Sequence, residues 1–218
     1  MYRWSWEQLS RKYSLAFMEK ELLLIFTKNP QLGKVKTRLA KTIGDEKALF
    51  IFSKLVNKTS RVVEQVSVHK SLYYSDLIDD QDIWEGRVSD KNIQEGNCLG
   101  ERMANAFIKG FEDGFNRIIV IGTDLWNIDT QIIKKAFKAL KNKDGVIGPA
   151  TDGGYYLLGL SRWIPQVFDG KNWGTASVFD DTVADFKNNT LVQLETKNDV
   201  DYFEDLKTNP ELLQLLDQ

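Results

Sequence analysis

Four cationic side chains lie on one short loop near the start of the chain. The stretch "FTKNPQLGKVKTRL" contains Lys28, Lys34, Lys36 and Arg38, with Gly33 among them. Glycine lets the backbone approach a phosphate closely, and a helix start presents free amides, so the loop could cradle a diphosphate. The alternative is a solvated surface on which Arg38 pairs with a carboxylate of the next helix. Because the Walker and Rossmann glycine patterns are both absent, the loop alone does not decide between them.

A second candidate site combines acidic residues from two later segments. In "VIGTDLWN", Thr123 and Asp124 directly follow an apolar run, and we assign Thr123 to the nucleotide. Asp124 could hold Mg²⁺ or Mn²⁺ between two phosphates, because hard cations prefer carboxylate oxygens. In "NDVDYFEDL", Asp199 and Asp201 come near the end of the last predicted strand, where Asp201 could complete the metal site. Helix or turn capping is the competing interpretation of these aspartates.

The stretch "GPATDGGYYLLGL" is the candidate site for the second substrate. Gly153 and Gly154 permit close approach of the backbone to a sugar or base, and Tyr155 flanks them. Asp152 could act as a base, as an anchor for a hydroxyl group or as a neighbour of the metal. A tight turn between two strands is the alternative, for which "TDGG" is suitable.

A weaker signal for the second substrate lies in "NWGTASV". Trp173, Gly174 and Thr175 could form a wall against the acceptor at a helix start, although a structural cap by Thr175 explains the pattern equally well. The remaining residue types that often carry chemistry, His69 and Cys98, have no partner pattern and are interpreted as structural.

The elements that must position these residues follow from hydrophobic periodicity. The runs "LLLIF", "RIIVIG" and "GVIGPA" are typical of buried strands, with "SLYYS", "GYYLLGL" and "LVQLE" as further strands. Amphipathic helices are predicted from Asp45, over "LGERMANAFIKGF", over "QIIKKAFKALKNK" and over "TASVFDDTVADFKNN", with a closing helix after Asn209. Asp45, and Asp129 or Thr130, are predicted helix caps.

This alternation of strands and helices predicts an α/β fold with a mostly parallel sheet covered by helices on both sides. In such sheets ligands bind beyond the carboxyl ends of the strands. Each candidate residue lies directly after a predicted strand or on a neighbouring loop. The polar stretch "DLIDDQDIWEGRVSDKN" has neither period and is predicted to be a surface loop with short elements.

Composition narrows the class of protein. The chain has 218 residues, 42% hydrophobic and 28% charged, with a formal charge of -2. These values predict a single globular domain with no nucleic-acid partner, so any cationic site must be local. One cysteine and one histidine exclude an intramolecular disulfide framework and a cysteine-histidine zinc site, and they favour a cytoplasmic location. No segment is predicted to span a bilayer.

The first 17 residues are treated separately from the domain over residues 18–218. The opening stretch has basic residues without the apolar core of a signal peptide. It is either an appended helix or the product of an upstream start.

Taken together, the quoted segments resemble the DUF2064 family in order and spacing over about residues 21–206. The resemblance implies bacterial glycosyltransferase-like proteins with a nucleotide-diphospho-sugar transferase (GT-A) fold, a three-layer α/β/α sandwich. Its first half would bind a nucleotide and its second half the other substrate. By resemblance, the loop with Lys28, Lys36 and Arg38 contacts the nucleotide phosphates, Asp124 is the aspartate on the metal side, and Asp201 occupies the place of a second metal ligand.

The sequence departs from the family pattern after both aspartates. Leu125, Trp126 and Asn127 replace a cysteine, a proline and a small residue, and Tyr202 and Phe203 replace threonine and proline. These departures put the turn after Asp124 and the role of Asp201 in question.

Three functions are therefore open at this point. The first is transfer of a sugar from a nucleotide diphosphate sugar to an unknown acceptor, with Arg38 stabilising the leaving diphosphate and Asp152 as base. The second is nucleotidyl transfer with release of pyrophosphate. The third is a non-catalytic nucleotide-binding module.

Overall fold

The computed structural model describes residues 20–217, so the prediction for residues 1–17 lies outside the described part. A seven-stranded sheet has the strand order β3-β2-β1-β4-β6-β5-β7. The strands are β1 (Glu21–Thr27), β2 (His69–Tyr74), β3 (Asp90–Ile93), β4 (Arg117–Ile121), β5 (Gly145–Pro149), β6 (Tyr155–Leu160) and β7 (Leu191–Gln193). Only β6 runs antiparallel to its neighbours, β4 and β5. The predicted mostly parallel mixed sheet is confirmed.

Helices cover both faces of this sheet. They are α1 (Thr37–Ile43), α2 (Asp45–Glu64), α3 (Leu99–Glu112), α4 (Thr130–Ala139), α5 (Val178–Ala184), α6 (Phe203–Lys207) and α7 (Pro210–Gln214). Short 3-10 turns occupy Pro165–Val167 and Leu215–Asp217. Across residues 20–217, the helices fall short of the length and apolarity that a membrane span requires.

Strand β1 shows why the fold has three layers. Its side chains alternate between the two faces of the sheet, as the pleat requires. Leu23 and Ile25 pack into a cluster with α2 and α4, whereas Leu22 and Leu24 pack into a cluster with α3 and with Phe186, which follows α5. Both faces of the strand are therefore buried, and the predicted α/β/α sandwich is confirmed.

A third apolar cluster joins the first helix to the carboxyl-terminal helices. It contains Leu39 of α1, Val200, Leu206 of α6 and Leu212 of α7. Packing of these side chains brings the segment around residue 201 next to the cationic loop that precedes α1.

One local prediction needs correction. Helix α2 begins after Gly44, and Asp45 lies in its first turn without a capping hydrogen bond. At this position the positive end of the helix dipole still stabilises the negative charge of Asp45. The polar stretch predicted to be a surface loop with short elements ends in one such element, β3, whose residues are all half-buried and pair with β2. Because β3 is short and lies at the edge of the sheet, its residues do not alternate between apolar and polar, and the sequence pattern does not predict a strand there. Asp129, in contrast, caps α4 through a 2.8 Å bond from the Ile132 amide.

Candidate functional site

A cleft of about 550 Å³ lies at the carboxyl ends of β1 and β4. Most of the residues that line it come from the end of β1 and the loop after it, the loop after β4, the hairpin between β5 and β6, and the segment after β7; Gln94 follows β3, and Gly174 precedes α5. They include Thr27, Lys28, Lys36, Arg38, Gln94, Gly122, Thr123, Asp124, Asp152, Tyr155, Gly174 and Asp201. The fold thus brings residues from distant parts of the sequence to one edge of the sheet.

Lys36 lies between two carboxylates of this cleft. Its side chain is 4% exposed, and its Nζ is 2.8 Å from Asp124 Oδ1 and 2.9 Å from Asp201 Oδ1. Burial disfavours the charged amine, but the two carboxylates outweigh that effect and raise the pKa of Lys36. Lys36 is also the single non-glycine residue among those described with a positive φ, 48°. The loop therefore adopts a strained backbone where the ammonium reaches both aspartates.

Asp201 is fixed by charges and by backbone. Arg38 donates to Asp201 Oδ2 at 3.1 Å, opposite the oxygen that accepts from Lys36. Burial opposes ionisation of Asp201, but Lys36 and Arg38 prevail and lower its pKa. The Asp205 carboxylate accepts from the amides of Asp201 and Tyr202 at 2.9 and 2.7 Å, which orients the turn. The Arg38 guanidinium also lies 5.6 Å from the centre of the Tyr202 ring.

The loop after β4 is tied to two other segments. The Val200 amide donates to the Asp124 carbonyl at 3.1 Å, which couples the loops that carry Asp124 and Asp201. The Asp124 side chain is 48% exposed and thus reaches the cleft. Thr123 is 2% exposed, and its hydroxyl lies 3.2 Å from that of Thr27. This bond connects the ends of β1 and β4.

Asp124 and Asp201 suit a divalent cation in the chemistry of their carboxylates and in the positions of their Oδ1 atoms. Carboxylate oxygens are the ligands that Mg²⁺ and Mn²⁺ prefer. Asp124 Oδ1 and Asp201 Oδ1 converge on one position, which the Lys36 ammonium occupies as a stand-in cation. Within residues 20–217 no group of three or more histidine, cysteine or acidic side chains could hold a metal. The pair could therefore supply two oxygen ligands to a divalent cation at the position of the Lys36 ammonium, and other ligands would have to come from elsewhere.

The turn between β5 and β6 carries Asp152. Asp152 Oδ1 accepts from the Gly154 amide at 2.8 Å, so the tight-turn interpretation is correct for the backbone, while the exposed side chain still lines the cleft. Gly153 has φ 88°, and a Cβ there would lie 2.2 Å from the Ala176 carbonyl oxygen. Its own carbonyl accepts from the Phe179 amide at 2.9 Å. Gly153 is thus required for close packing of the turn on the segment before α5.

Tyr155 and Gly174 form the wall beside this turn. The Tyr155 hydroxyl lies 4.0 Å from the Met103 sulfur, and burial raises the pKa of that hydroxyl. Trp173 instead packs over the start of α3, where its Nε1 is 2.3 Å from the position a Cβ on Gly100 would take. The Thr175 hydroxyl donates to the Asn172 carbonyl at 2.7 Å and closes a turn rather than capping a helix.

Some predicted site residues lie away from the cleft. Among the described residues, the cleft lining does not include Gly33, Lys34, Gly153, Gly154, Trp173 or Thr175. Lys34 is exposed, and Gly33 supplies a left-handed turn, with φ 72°, beside Asp45. Their assigned contacts with nucleotide or substrate stay predictions.

Two polar residues add to the site. Gln94, which we did not predict, follows β3 and donates from Nε2 to the carbonyls of Thr27 and Tyr73, both at 3.1 Å. No signal in the sequence identifies it, because the strand before it, "DKNI", has no hydrophobic period. The pKa of Asp199 is raised to about 6 by burial and by the nearby charges of Asp152 and Asp201, against an opposing effect of Lys36.

The residues that depart from the family pattern have structural contacts. Leu125 is 3% exposed in the core beneath the cleft. Trp126 packs against the third apolar cluster, and the Lys58 Nζ lies 5.8 Å from the centre of its ring. Asn127 donates to Asn209 Oδ1 at 2.9 Å. The turn after Asp124 is therefore held by packing and a side-chain hydrogen bond.

Comparisons with known proteins agree with this architecture. A proposed nucleotide-diphospho-sugar transferase from Desulfovibrio desulfuricans G20 is 30% identical, with 91% of this chain and 98% of that chain covered, at a TM-score of 0.77. The 4-diphosphocytidyl-2C-methyl-D-erythritol synthase from Anaerococcus prevotii DSM 20548 shares the fold at 11% identity, TM-score 0.58 and coverage of 92% and 99%. CMP:2-keto-3-deoxy-manno-octonic acid synthetase, in complex with CTP, does so at 9% identity, TM-score 0.57 and coverage of 90% and 99%.

No curated protein matches the chain. A family model matches residues 58–175, which include α3, β4 and the glycine turn after β5. The chain belongs to the DUF2064 family, described as an uncharacterized protein conserved in bacteria.

Proposed function

We propose that this protein transfers a glycosyl group from a nucleotide diphosphate sugar to an acceptor, with the help of a divalent cation. The supporting observation is that one cleft holds cations from the loop after β1, the aspartates Asp124 and Asp201, and the turn with Asp152. Likeness at 30% identity to a proposed nucleotide-diphospho-sugar transferase supports the same substrate class.

The cations suit the diphosphate half of such a substrate. Lys28 is exposed at the cleft and Arg38 is 49% exposed in its side chain, so both can reach a ligand. When the bond to the sugar breaks, negative charge develops on the leaving diphosphate, and nearby guanidinium and ammonium groups stabilise it. A planar guanidinium can also bind two phosphate oxygens at once.

Asp124 and Asp201 would hold the divalent cation, which, when bound, supplies further neutralisation of the diphosphate. Phosphate oxygens and water would complete its ligand set. Since the Lys36 ammonium uses the same carboxylate oxygens, Lys36 and the divalent cation compete for them. Lys36, once displaced, becomes available to a phosphate.

Asp152 is the proposed base. One of its oxygens accepts from Gly154, and its carboxylate is exposed to the cleft. It would take the proton of the acceptor hydroxyl as the hydroxyl oxygen bonds to the anomeric carbon and the nucleoside diphosphate leaves. This role applies if the reaction inverts the configuration at that carbon.

Nucleotidyl transfer is the second candidate, because the chain shares its fold with two enzymes named for cytidylyl products. In that reaction a phosphate oxygen of the second substrate would attack the α-phosphorus of a nucleoside triphosphate, and pyrophosphate would leave. The loop with Lys36 and Arg38 could neutralise either leaving group. A non-catalytic nucleotide-binding module is the third reading, suggested by the altered residues after Asp124.

Product analysis distinguishes the three functions. Pure protein is incubated with Mn²⁺ and either nucleotide diphosphate sugars or nucleoside triphosphates with sugar phosphates, and the nucleotides are separated by chromatography. Release of a nucleoside diphosphate supports glycosyl transfer, whereas pyrophosphate indicates nucleotidyl transfer. Asp124→Asn should abolish either activity, and Asp180→Asn, on the exposed surface of α5, should leave it unchanged. Nucleotide binding with no turnover, unaffected by Asp124→Asn, would instead indicate the binding module.

A further inference from the structure

A second, larger cavity lies on the other side of the loop after β1. It has a volume of about 760 Å³ and is bounded by α2, by residues 28–30 and by residues 79–84. We call it the α2 cavity. Thr27 and Lys28 line both this cavity and the cleft, but the rest of its lining plays no part in the proposed reaction.

The charge of the α2 cavity is unbalanced. Lys28, Lys54, Lys58 and Arg61 line it, and no ion pair among residues 20–217 involves any of the four. Two acidic residues also line the cavity, and the four cations outnumber them. Asp82 is paired with Lys91 at 3.0 Å and accepts from the Tyr74 hydroxyl, and Asp79 accepts from the Gln81 amide at 3.0 Å. The remaining positive charge favours an anionic ligand.

Flat apolar surface lies directly beside these cations. The Lys54 Nζ is 4.7 Å from the centre of the Phe50 ring, and the Lys58 Nζ is 5.8 Å from that of Trp126. Phe50 is 38% exposed and Ile83 is 41% exposed, so part of the apolar lining remains open to a ligand. A ligand with a flat body and an anionic group could contact ring and ammonium together.

The walls of the cavity are held in place by hydrogen bonds. Asn29, 6% exposed, donates to the Leu77 carbonyl at 2.8 Å and accepts from the amides of Asp76 and Leu77 at 3.1 and 3.2 Å. Behind the opposite edge, Trp84 is 1% exposed and donates its amide to Asp82 at 3.0 Å. Such walls are pre-formed, which is typical of small-molecule sites.

We propose that the α2 cavity is a second binding site, for a small organic anion with a flat apolar body. The site is separate from the proposed transfer chemistry and does not depend on it. Because Lys28 lines both spaces, an anion in the α2 cavity also lowers the positive potential at the cleft.

Anilinonaphthalene sulfonate, a flat aromatic anion, tests this site in the full chain by fluorescence titration. The double variant Lys54→Gln with Lys58→Gln should weaken its binding by at least about fivefold, since two charge contacts are lost. The control, Lys134→Gln with Lys138→Gln, removes the same charge from the exposed face of α4 and should change binding by less than about twofold. Thermal unfolding confirms that both variants are folded.

Phenylnaphthylamine, which has the same aromatic body without the sulfonate, should bind the unaltered protein more weakly and should not distinguish the two double variants. The proposal is overturned if the sulfonate does not bind, if both double variants lose the same affinity, or if the neutral compound binds as tightly. The last outcome would mean apolar binding only.

Discussion

Replacing Lys36 by methionine removes the ammonium between Asp124 and Asp201 while keeping a side chain of similar length. Because lysine and methionine both carry a Cβ, the energetic cost of the positive φ at position 36, 48°, is the same in the variant and in the unaltered protein. Removing one partner of a fully buried ion pair costs about 3–5 kcal/mol, whereas exposed pairs contribute at most about 1 kcal/mol each. Lys36 is 4% exposed, but its partners are 48% and 31% exposed in their side chains. We therefore expect a loss of about 2 kcal/mol in the free energy of unfolding, or about 4–8 °C in Tm.

The assay is thermal and urea unfolding without nucleotide, in the presence and absence of Mn²⁺. Lys34→Met is the control, because Lys34 carries the same charge on the same loop but is exposed. Without the ammonium, the two carboxylates lack their counter-ion, so Mn²⁺ should bind Lys36→Met more tightly than the unaltered protein. A tenfold gain in affinity would stabilise the variant by up to about 1.4 kcal/mol more at saturating Mn²⁺.

Two results would refute this reasoning. If Lys36→Met unfolds within about 0.5 kcal/mol of Lys34→Met, the ammonium does not stabilise the carboxylate pair. If Mn²⁺ raises the Tm of both variants and of the unaltered protein equally, Lys36 and the divalent cation do not compete.

Three further predictions follow from single residues. The pKa of Asp199 is raised from its ordinary 3.8 to about 6 in the folded protein. The folded state therefore binds this proton more tightly than the unfolded state does, so the stability that protonated Asp199 contributes is complete below about pH 3.8 and is lost as the pH rises through about 6. Asp199→Asn should therefore stabilise the protein at about pH 7 but not at about pH 4; equal urea-unfolding differences at both would contradict this. Gly153→Ala should lower stability by about 2–4 kcal/mol, because its Cβ meets backbone, whereas Gly170→Ala, in open space, should cost only about 1 kcal/mol. Arg38→Gln should weaken nucleoside diphosphate binding about tenfold by calorimetry, and an equal loss in Lys41→Gln, which is exposed on the same helix, would argue against a specific contact.

The architecture could be predicted because its main elements are encoded locally. Strand β1 is a continuous apolar run, and α2 and α3 repeat apolar residues at helical spacing, so type and approximate position follow from burial alone. The grouping of Arg38, Asp124 and Asp152 in one cleft follows from a general property of such sheets, in which ligand sites lie beyond the strand ends.

The contacts within the site could not be predicted in the same way. The bridge from Lys36 to Asp124 and Asp201 depends on a left-handed backbone at a lysine, which local sequence does not favour, and on residues 88 and 165 positions apart in the chain. Gln94 reaches the cleft because β3 adds to the edge of the sheet. This strand forms through its pairing with β2 and has no apolar pattern that would predict it from sequence. Long-range packing decides both features.

The strand order has a consequence for local unfolding. The outermost strands, β3 and β7, have four and three residues, whereas β1 and β4 lie further inside and are almost wholly buried. Fraying of the edge strands β3 and β7 can open their hydrogen bonds while the hydrogen bonds between β1 and β4 stay closed. Amide protons of β1 and β4 should therefore exchange with deuterium among the slowest in the chain, and the pairing of Lys36 with Asp124 should persist through such border fluctuations.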